Sequence, residues 1–209
     1  MCLTNGAFQE NCYLVADTET KEAVMIDPGE EVDLFFRRLE TEAWELKEIW
    51  LTHAHIDHIA GLAEAVRRKP VPIYLHPADR RMYDGVSMQG AAFGMSVETP
   101  PPPDFELAHG DTVRIGRFEF GVVHVPGHSP GSVAFLGGKV AIVGDVLFAG
   151  SVGRVDLPGG DGPTLLHSIE TQLMPLDDDV VVFAGHGPAT TIGQERVGNP
   201  FVTGAYPLA

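Results

Sequence analysis

The spacing of hydrophobic positions predicts strands and helices in turn along the first half of the chain. Four apolar residues recur at helical spacing just after the turn at Asp27-Pro28-Gly29: Val32, Phe35, Phe36 and Leu39. Short apolar or alternating runs bounded by turn residues predict the strands. The predicted elements are strands at 11–17, 23–27, 48–52 and 71–75 and helices at 30–43, 59–69 and 77–83.

The second half is rich in predicted strands separated by turns that contain glycine. Strands are predicted at 112–115, 118–125, 132–136, 140–143 and 180–184, and one helix at 164–173. Between the halves, residues 84–103 lose periodicity and end in four prolines, so we predict an irregular insertion. Its apolar residues Met88, Phe93 and Met95 favour two roles equally, a lid over the site or a contact with a second subunit in a homo-oligomer.

The order of elements predicts an α/β fold with two packed β-sheets and helices on the outer faces, each half of the chain supplying one sheet. With 209 residues and no visible linker or repeat, we expect a single domain over 1–209, with 84–103 as its lid-like insertion.

Charge and cysteine content narrow the class of partner and the compartment. The formal net charge of −15 repels phosphate backbones and anionic lipids, so neither nucleic acid nor membrane is expected as a partner. No apolar run approaches the roughly 20 residues that span a bilayer. Cys2 and Cys12 are too few to staple the chain, which favours a reducing cytoplasm.

The densest chemical signal is the run from Thr52 to His58. His53, His55, Asp57 and His58 place four possible metal ligands in six residues, on the loop between a predicted strand and a predicted helix. Imidazole nitrogen and carboxylate oxygen bind zinc and similar metals, and on an irregular loop such side chains can diverge towards two metal positions. By itself this run predicts only metal binding.

Three later residues extend the donor set to seven. His128, Asp145 and His186 each follow a predicted strand and are flanked by glycines, which let the backbone approach closely. Four other histidines, at 76, 109, 124 and 167, fall outside this pattern, and we expect them to be structural or on the surface.

These motifs, from about Gln9 to about Gly204, resemble the metallo-β-lactamase superfamily and within it the glyoxalase II-like hydrolases. The resemblance implies an αββα sandwich with two divalent metal ions at one edge, zinc being expected and iron or manganese being alternatives. It also implies a ligand assignment: His53, His55 and His128 on one metal, Asp57, His58 and His186 on the other, and Asp145 bridging. We assign Asp57 and Asp145 to catalysis as well as to metal binding.

The implied reaction is hydrolysis of a small acyl thioester, as in hydroxyacylglutathione hydrolases. Two metals can hold a bridging hydroxide at neutral pH and polarise the carbonyl that it attacks. Glyoxalase II proper has a helical extension that binds glutathione, whereas only 23 residues, 187–209, follow His186. This tail resembles that of single-domain relatives, so recognition of glutathione stays open.

Two residues outside the donor set are candidates for supporting roles. Asp27 resembles the family's acidic residue near the metal loop, where a carboxylate orients a ligand imidazole, although helix capping also explains it. Arg154 is placed either to meet a substrate carboxylate or to pair with Asp156, and we favour the pair.

Other reactions of the same fold remain as alternatives. A persulfide dioxygenase uses one iron and usually shows Ala-His-Asp at the last ligand position, where this chain has Gly185-His186-Gly187. Lactone or β-lactam hydrolysis is a second alternative. The acidic charge disfavours the ribonuclease-type members, and the full donor set disfavours a non-catalytic scaffold.

Overall fold

The computed structural model describes residues 1–208 and divides into two compact units. The first comprises 1–107 with 113–119, and the second comprises 108–112 with 120–208. The chain forms two six-stranded sheets with helices, and each half supplies one sheet as predicted, apart from short strands missed by the sequence pattern. Within the described residues, no helix reaches the length and apolarity of a membrane span.

The first sheet runs in simple chain order and is mixed. Its strands are β1 Cys2–Asn5, β2 Glu10–Ala16, β3 Glu22–Ile26, β4 Glu45–Trp50, β5 Ile73–Leu75 and β6 Phe105–Glu106. β1, β2 and β3 pair antiparallel, whereas β3 to β6 pair parallel. Because β3 and β4 are parallel neighbours, the chain leaves both at the same edge of the sheet, which brings the turn at Asp27 beside the run that follows β4.

The helices of the first unit contribute residues such as Val32, Phe35 and Leu39 to its core. They are α1 Val32–Glu42, α2 Ile56–Ile59, α3 Leu62–Arg68, α4 Arg80–Asp84 and α5 Val86–Ala92, with a 3₁₀ turn at Pro77–Asp79. The helix predicted at 59–69 is in fact two helices, and the first begins earlier, inside the histidine run. The break falls at Gly61, where a side chain would collide with the carbonyl oxygen of Gly29. Residue 61 is therefore held against the turn that follows β3.

The prediction that 84–103 is wholly irregular was wrong, because α5 lies within it. Only Val86 and Gly90 of this helix are buried, so its sequence shows no apolar period. The segment is fastened to the rest of the unit: Tyr83 donates from its hydroxyl to the carbonyl oxygen of Pro101, at 2.5 Å. Both roles proposed for it, lid or subunit contact, stay predictions.

The strands of the second sheet are β7 Thr112–Ile115, β8 Phe118–His124, β9 Val133–Gly137, β10 Val140–Gly144, β13 Val181–Ala184 and β14 Thr190–Thr191. Their order across the sheet is β14-β13-β10-β9-β8-β7. A separate hairpin joins β11 Leu147–Phe148 to β12 Ser151–Val152. β10 and β13 are parallel neighbours, so Asp145 and His186, which follow them, leave the sheet at one edge.

Two helical regions belong to the second unit. α6, Gly162–Ser168, continues into a π-helical turn at Ile169–Leu173, which confirms the predicted helix. α7, Ile192–Gly198, was not predicted, because only Ile192 and Glu195 of its seven residues are buried. The core of this unit contains the π-turn residues Ile169 and Leu173 packed with strand residues such as Val182.

Candidate metal centre

The loop after β4 and the first turn of α2 bring three imidazole rings together. The ring centroid of His53 lies 4.8 Å from that of His55 and 4.1 Å from that of His58, and all three residues are buried. Asp57 joins them, with its Oδ2 3.9 Å from Nε2 of His58. All four donors predicted in this run are therefore clustered within the first unit.

A continuous hydrogen-bonded chain fixes the tautomers of two of these histidines. The Thr52 hydroxyl donates to Oδ2 of Asp27, at 2.5 Å, and has no second proton, so Nδ1 of His53, at 3.0 Å, must donate to it. The same Asp27 oxygen accepts from Nδ1 of His58 at 2.9 Å. Both imidazoles therefore carry their lone pair on Nε2, the form that binds a metal.

Asp27 thus holds the imidazole of His58, a predicted ligand, and it does not cap α1. Its Oδ1 also accepts from the backbone amide of Thr52 at 2.7 Å, which anchors the start of the loop. The residue at the N-cap of α1 is Glu31, which makes no side-chain capping bond. Asp27 has a φ of +52°, a left-handed conformation that aspartate tolerates better than most residues.

The backbone between His53 and His55 is held by two side chains that sequence reasoning missed. The amide of Ala54 donates to Oδ2 of Asp79 at 3.1 Å, and its carbonyl oxygen accepts from Nε2 of Gln89 at 3.0 Å. Asp79 is fully buried, and Gln89 lies on α5. No local pattern in the sequence distinguishes either residue from an ordinary polar one.

A second buried carboxylate, Glu10, was also missed. Its Oε1 lies 3.8 Å from Nδ1 of His58, and the residue is almost fully inaccessible. Burial raises the pKa of the nearby Cys12 thiol, and the Glu10 charge adds to the rise. The thiol therefore stays neutral and is not a competing thiolate ligand.

In the second unit, Asp145 lies between two imidazoles. Its Oδ2 is 3.6 Å from Nε2 of His128 and 3.5 Å from Nε2 of His186. Nδ1 of His128 is 2.8 Å from the carbonyl oxygen of Arg154, which can only accept, so this nitrogen carries the proton. The Nε2 of His128 then carries the lone pair of the ring, and it lies on the side of the Asp145 carboxylate.

Arg154 contributes to this site through its backbone. Its guanidinium forms two bonds of 2.7 Å with the carboxylate of Asp156, and it holds the pKa of Asp156 down, at about 2. The side-chain pairing that we favoured is therefore present. Gly153, just before it, has to be glycine, because a Cβ there would collide with the carbonyl oxygen of Asp145 and crowd Nδ1 of His128.

The four remaining histidines have other surroundings. His76 accepts from the amide of Ala78 at a helix start, and Nε2 of His124 lies 2.8 Å from the carbonyl oxygen of Pro130. His109 faces the amide of His124, and His167 is exposed.

The donor atoms in each unit are of the kinds that divalent metal ions bind. The first unit supplies three imidazoles and Asp57, and the second supplies His128, His186 and Asp145, which is the nitrogen and carboxylate chemistry that zinc, iron and manganese accept. Asp27 and the Arg154 carbonyl hold the outer nitrogens of their imidazoles, as in functioning metal sites. The fold and donor set define a metal-binding protein.

Comparison with known proteins places that class in a family. A sequence profile described as the metallo-beta-lactamase superfamily matches residues 5–186. The chain is 40% identical to the hydroxyacylglutathione hydrolase GloC of Haemophilus influenzae, over 94% of each sequence. It therefore belongs to the metallo-beta-lactamase superfamily, as a metal-binding hydrolase with a small-molecule substrate.

Two solved structures are similar over almost their whole length. The B3 metallo-beta-lactamase BLEG-1 has a TM-score of 0.91 and 40% identity, with 97% of this chain and 99% of that one covered. TTHA1623 in a di-iron-bound form has a TM-score of 0.89 and 42% identity, with 96% and 99% covered. These matches confirm the fold class.

Proposed function

We propose that the chain hydrolyses acyl thioesters of the hydroxyacylglutathione type, using two divalent metal ions. His53, His55 and His128 would hold one ion, Asp57, His58 and His186 the other, and Asp145 would bridge them. The observation that carries the proposal is the position of Asp145 Oδ2, nearly equidistant from two imidazole nitrogens. A carboxylate shared in this way is what a two-metal site requires.

When bound, two such ions lower the pKa of water and polarise a carbonyl group. The protein's own contribution is orientation. The series of hydrogen bonds from His53 through Thr52 and Asp27 to His58 keeps the lone pairs of the two imidazoles on Nε2. The Arg154 carbonyl does the same for His128. No serine or cysteine nucleophile is needed, and Cys12 is buried with a raised pKa.

The thioester substrate is supported by the similarity to GloC, a hydroxyacylglutathione hydrolase. We expect residues 1–209 to act as one domain, since the match to GloC spans 94% of both chains. Zinc is the metal we expect, and iron is the main alternative because the TTHA1623 structure is a di-iron form.

A second candidate function is β-lactam hydrolysis. It is favoured by the similarity to the B3 metallo-beta-lactamase BLEG-1. The same two-metal chemistry serves an amide and a thioester carbonyl, so the choice depends on the substrate-binding surface.

A substrate panel with metal analysis tests the proposal. The purified chain would be offered S-lactoylglutathione, a thioester without glutathione, a lactone, a chromogenic cephalosporin and glutathione persulfide under an oxygen electrode. We expect about two metal ions per chain and the highest kcat/KM on a thioester, without oxygen uptake. Highest activity on the cephalosporin would favour the second candidate. One iron per chain with oxygen uptake on the persulfide would contradict both.

A further inference from the structure

The segment after His186 carries a polar motif that the metal site does not explain. Glu195 on α7 and Asn199 just after it are both buried. Glu195 Oε1 accepts from the hydroxyl of Thr190 at 2.6 Å, and its Oε2 accepts from Nδ2 of Asn199 at 2.8 Å. Burying a carboxylate is costly unless its oxygens are hydrogen-bonded, and both oxygens of Glu195 accept such bonds.

The remaining bonds of this pair reach the β11–β12 hairpin. Oε2 of Glu195 accepts from the backbone amide of Gly150 at 2.8 Å, and Nδ2 of Asn199 donates to the carbonyl oxygen of Ser151 at 2.9 Å. Each strand of the hairpin has only two residues, and Gly150 has a φ of +71°. A two-stranded ribbon of this size is not stable alone, so it is held by the burial of Leu147 and Val152 in the core and by the bonds from Glu195 and Asn199.

The hairpin lies next to the metal donors of the second unit. It begins two residues after Asp145, and the residues that follow it include Arg154, whose carbonyl oxygen orients His128. Its Phe148 is only partly buried and sets its ring edge-on to His186, with centroids 6.1 Å apart at 84°. Phe148 is thus an apolar group beside a donor, reachable from solvent.

We propose that Glu195 and Asn199 are positioning residues that hold the hairpin so that Phe148 contacts the apolar part of a bound acyl thioester. The contact of Phe148 with substrate rests on the proposed function, whereas the hold on the hairpin does not. Phe148 is then a specificity determinant, and the segment that carries Glu195 and Asn199 positions it.

Arg196, the neighbour of Glu195, offers a matched control on the same helix. Its guanidinium donates to the carbonyl oxygens of Met174 and Leu176, at 2.6 and 2.7 Å, and pairs with Asp178. These contacts fasten α7 to the loop after α6. Arg196→Gln therefore loosens the helix without touching the hairpin.

Hydrogen–deuterium exchange on the full chain tests the hold on the hairpin. Glu195→Met keeps the length of the side chain but removes both acceptor oxygens, so exchange at 147–152 should rise about tenfold, while Arg196→Gln should leave this peptide at the wild-type rate. Unchanged exchange in Glu195→Met, or an equal rise in Arg196→Gln, would overturn the positioning role.

Thioester kinetics test the contact with substrate. Phe148→Ala keeps the backbone bonds of the hairpin, so it should raise KM about five- to tenfold with kcat within about twofold, and Glu195→Met should raise KM as well. An unchanged KM in Phe148→Ala would overturn the contact. If the wild-type chain cleaves no thioester, the proposed function has failed, and the exchange result still decides the hold on the hairpin.

Discussion

Nδ1 of His58 lies 2.9 Å from Oδ2 of Asp27, a residue 31 positions earlier in the chain and at the end of the neighbouring strand. The same oxygen accepts from Thr52, which in turn accepts from His53. One carboxylate thereby fixes the tautomers of two imidazoles. We therefore expect Asp27 to contribute to metal binding, although it is not one of the seven predicted ligands.

Asp27→Asn should weaken metal binding. The amide has one acceptor oxygen, so it cannot accept from the Thr52 amide on one side and from Thr52 Oγ1 and His58 Nδ1 on the other. We expect metal affinity to fall about 10- to 100-fold, measured by competition with a chromogenic chelator. Asp33→Asn, which removes an exposed partner of Arg68, is the control. Equal affinities in wild type and Asp27→Asn would show that the orientation is not needed.

Gly153→Ala should disturb the candidate metal donors of the second unit, Asp145 and His128. Its Cβ would collide with the carbonyl oxygen of Asp145, a backbone atom that cannot move without displacing the carboxylate of the same residue. Overpacking of this kind costs about 1–3 kcal/mol, and both melting temperature and metal content should fall. Gly121→Ala is the matched control, because its nearest neighbour, Leu136 O, would be at 3.9 Å. A variant with normal metal content would refute the predicted crowding.

Gln89→Leu should disturb the metal loop from the side of the 84–103 segment. The substitution keeps the size of the side chain but removes the donor to the Ala54 carbonyl, between two histidines. We expect kcat/KM on a thioester to fall about fivefold or more, and exchange of residues 84–95 to rise. Ser87→Ala, at an exposed position of the same helix, should change neither quantity. Wild-type kinetics in Gln89→Leu would mean that the bond has no role in the site.

Asp17 should make the fold sensitive to acid. Its carboxylate accepts from the backbone amide, Nε and Nη2 of Arg117, and these bonds hold its pKa well below the ordinary 3.8. A lowered folded pKa stabilises the protein above the unfolded value, and that stability is lost as pH falls through the folded value. Asp17→Asn should therefore be less stable than wild type at pH 7, by an amount that shrinks below about pH 4. Urea unfolding measures this, and a difference independent of pH would contradict it.

The seven candidate metal donors stand out in the sequence because histidine is infrequent and because they follow predicted strands. The run at 53–58 is dense, and His128, Asp145 and His186 share one local pattern. Asp27 was found by its turn and by resemblance. The parallel pairing of β3 with β4 brings Asp27 beside the 53–58 run, and that of β10 with β13 brings Asp145 beside His186; the chain order could only suggest either pairing.

The supporting residues were missed because their roles depend on distant partners. Glu10, Asp79 and Gln89 look like ordinary surface residues until the fold brings them to His58 and Ala54. The helices α5 and α7 were missed for a related reason: each buries only two residues, so neither shows an apolar period.

The most direct test of the central claim is a metal titration of the metal-depleted chain with thioester cleavage as the readout. Chelation should abolish cleavage, and added Zn²⁺ should restore it with a plateau at about two ions per chain. Full activity in the metal-depleted chain would contradict the account. A plateau at one iron per chain, with consumption of oxygen, would contradict it equally.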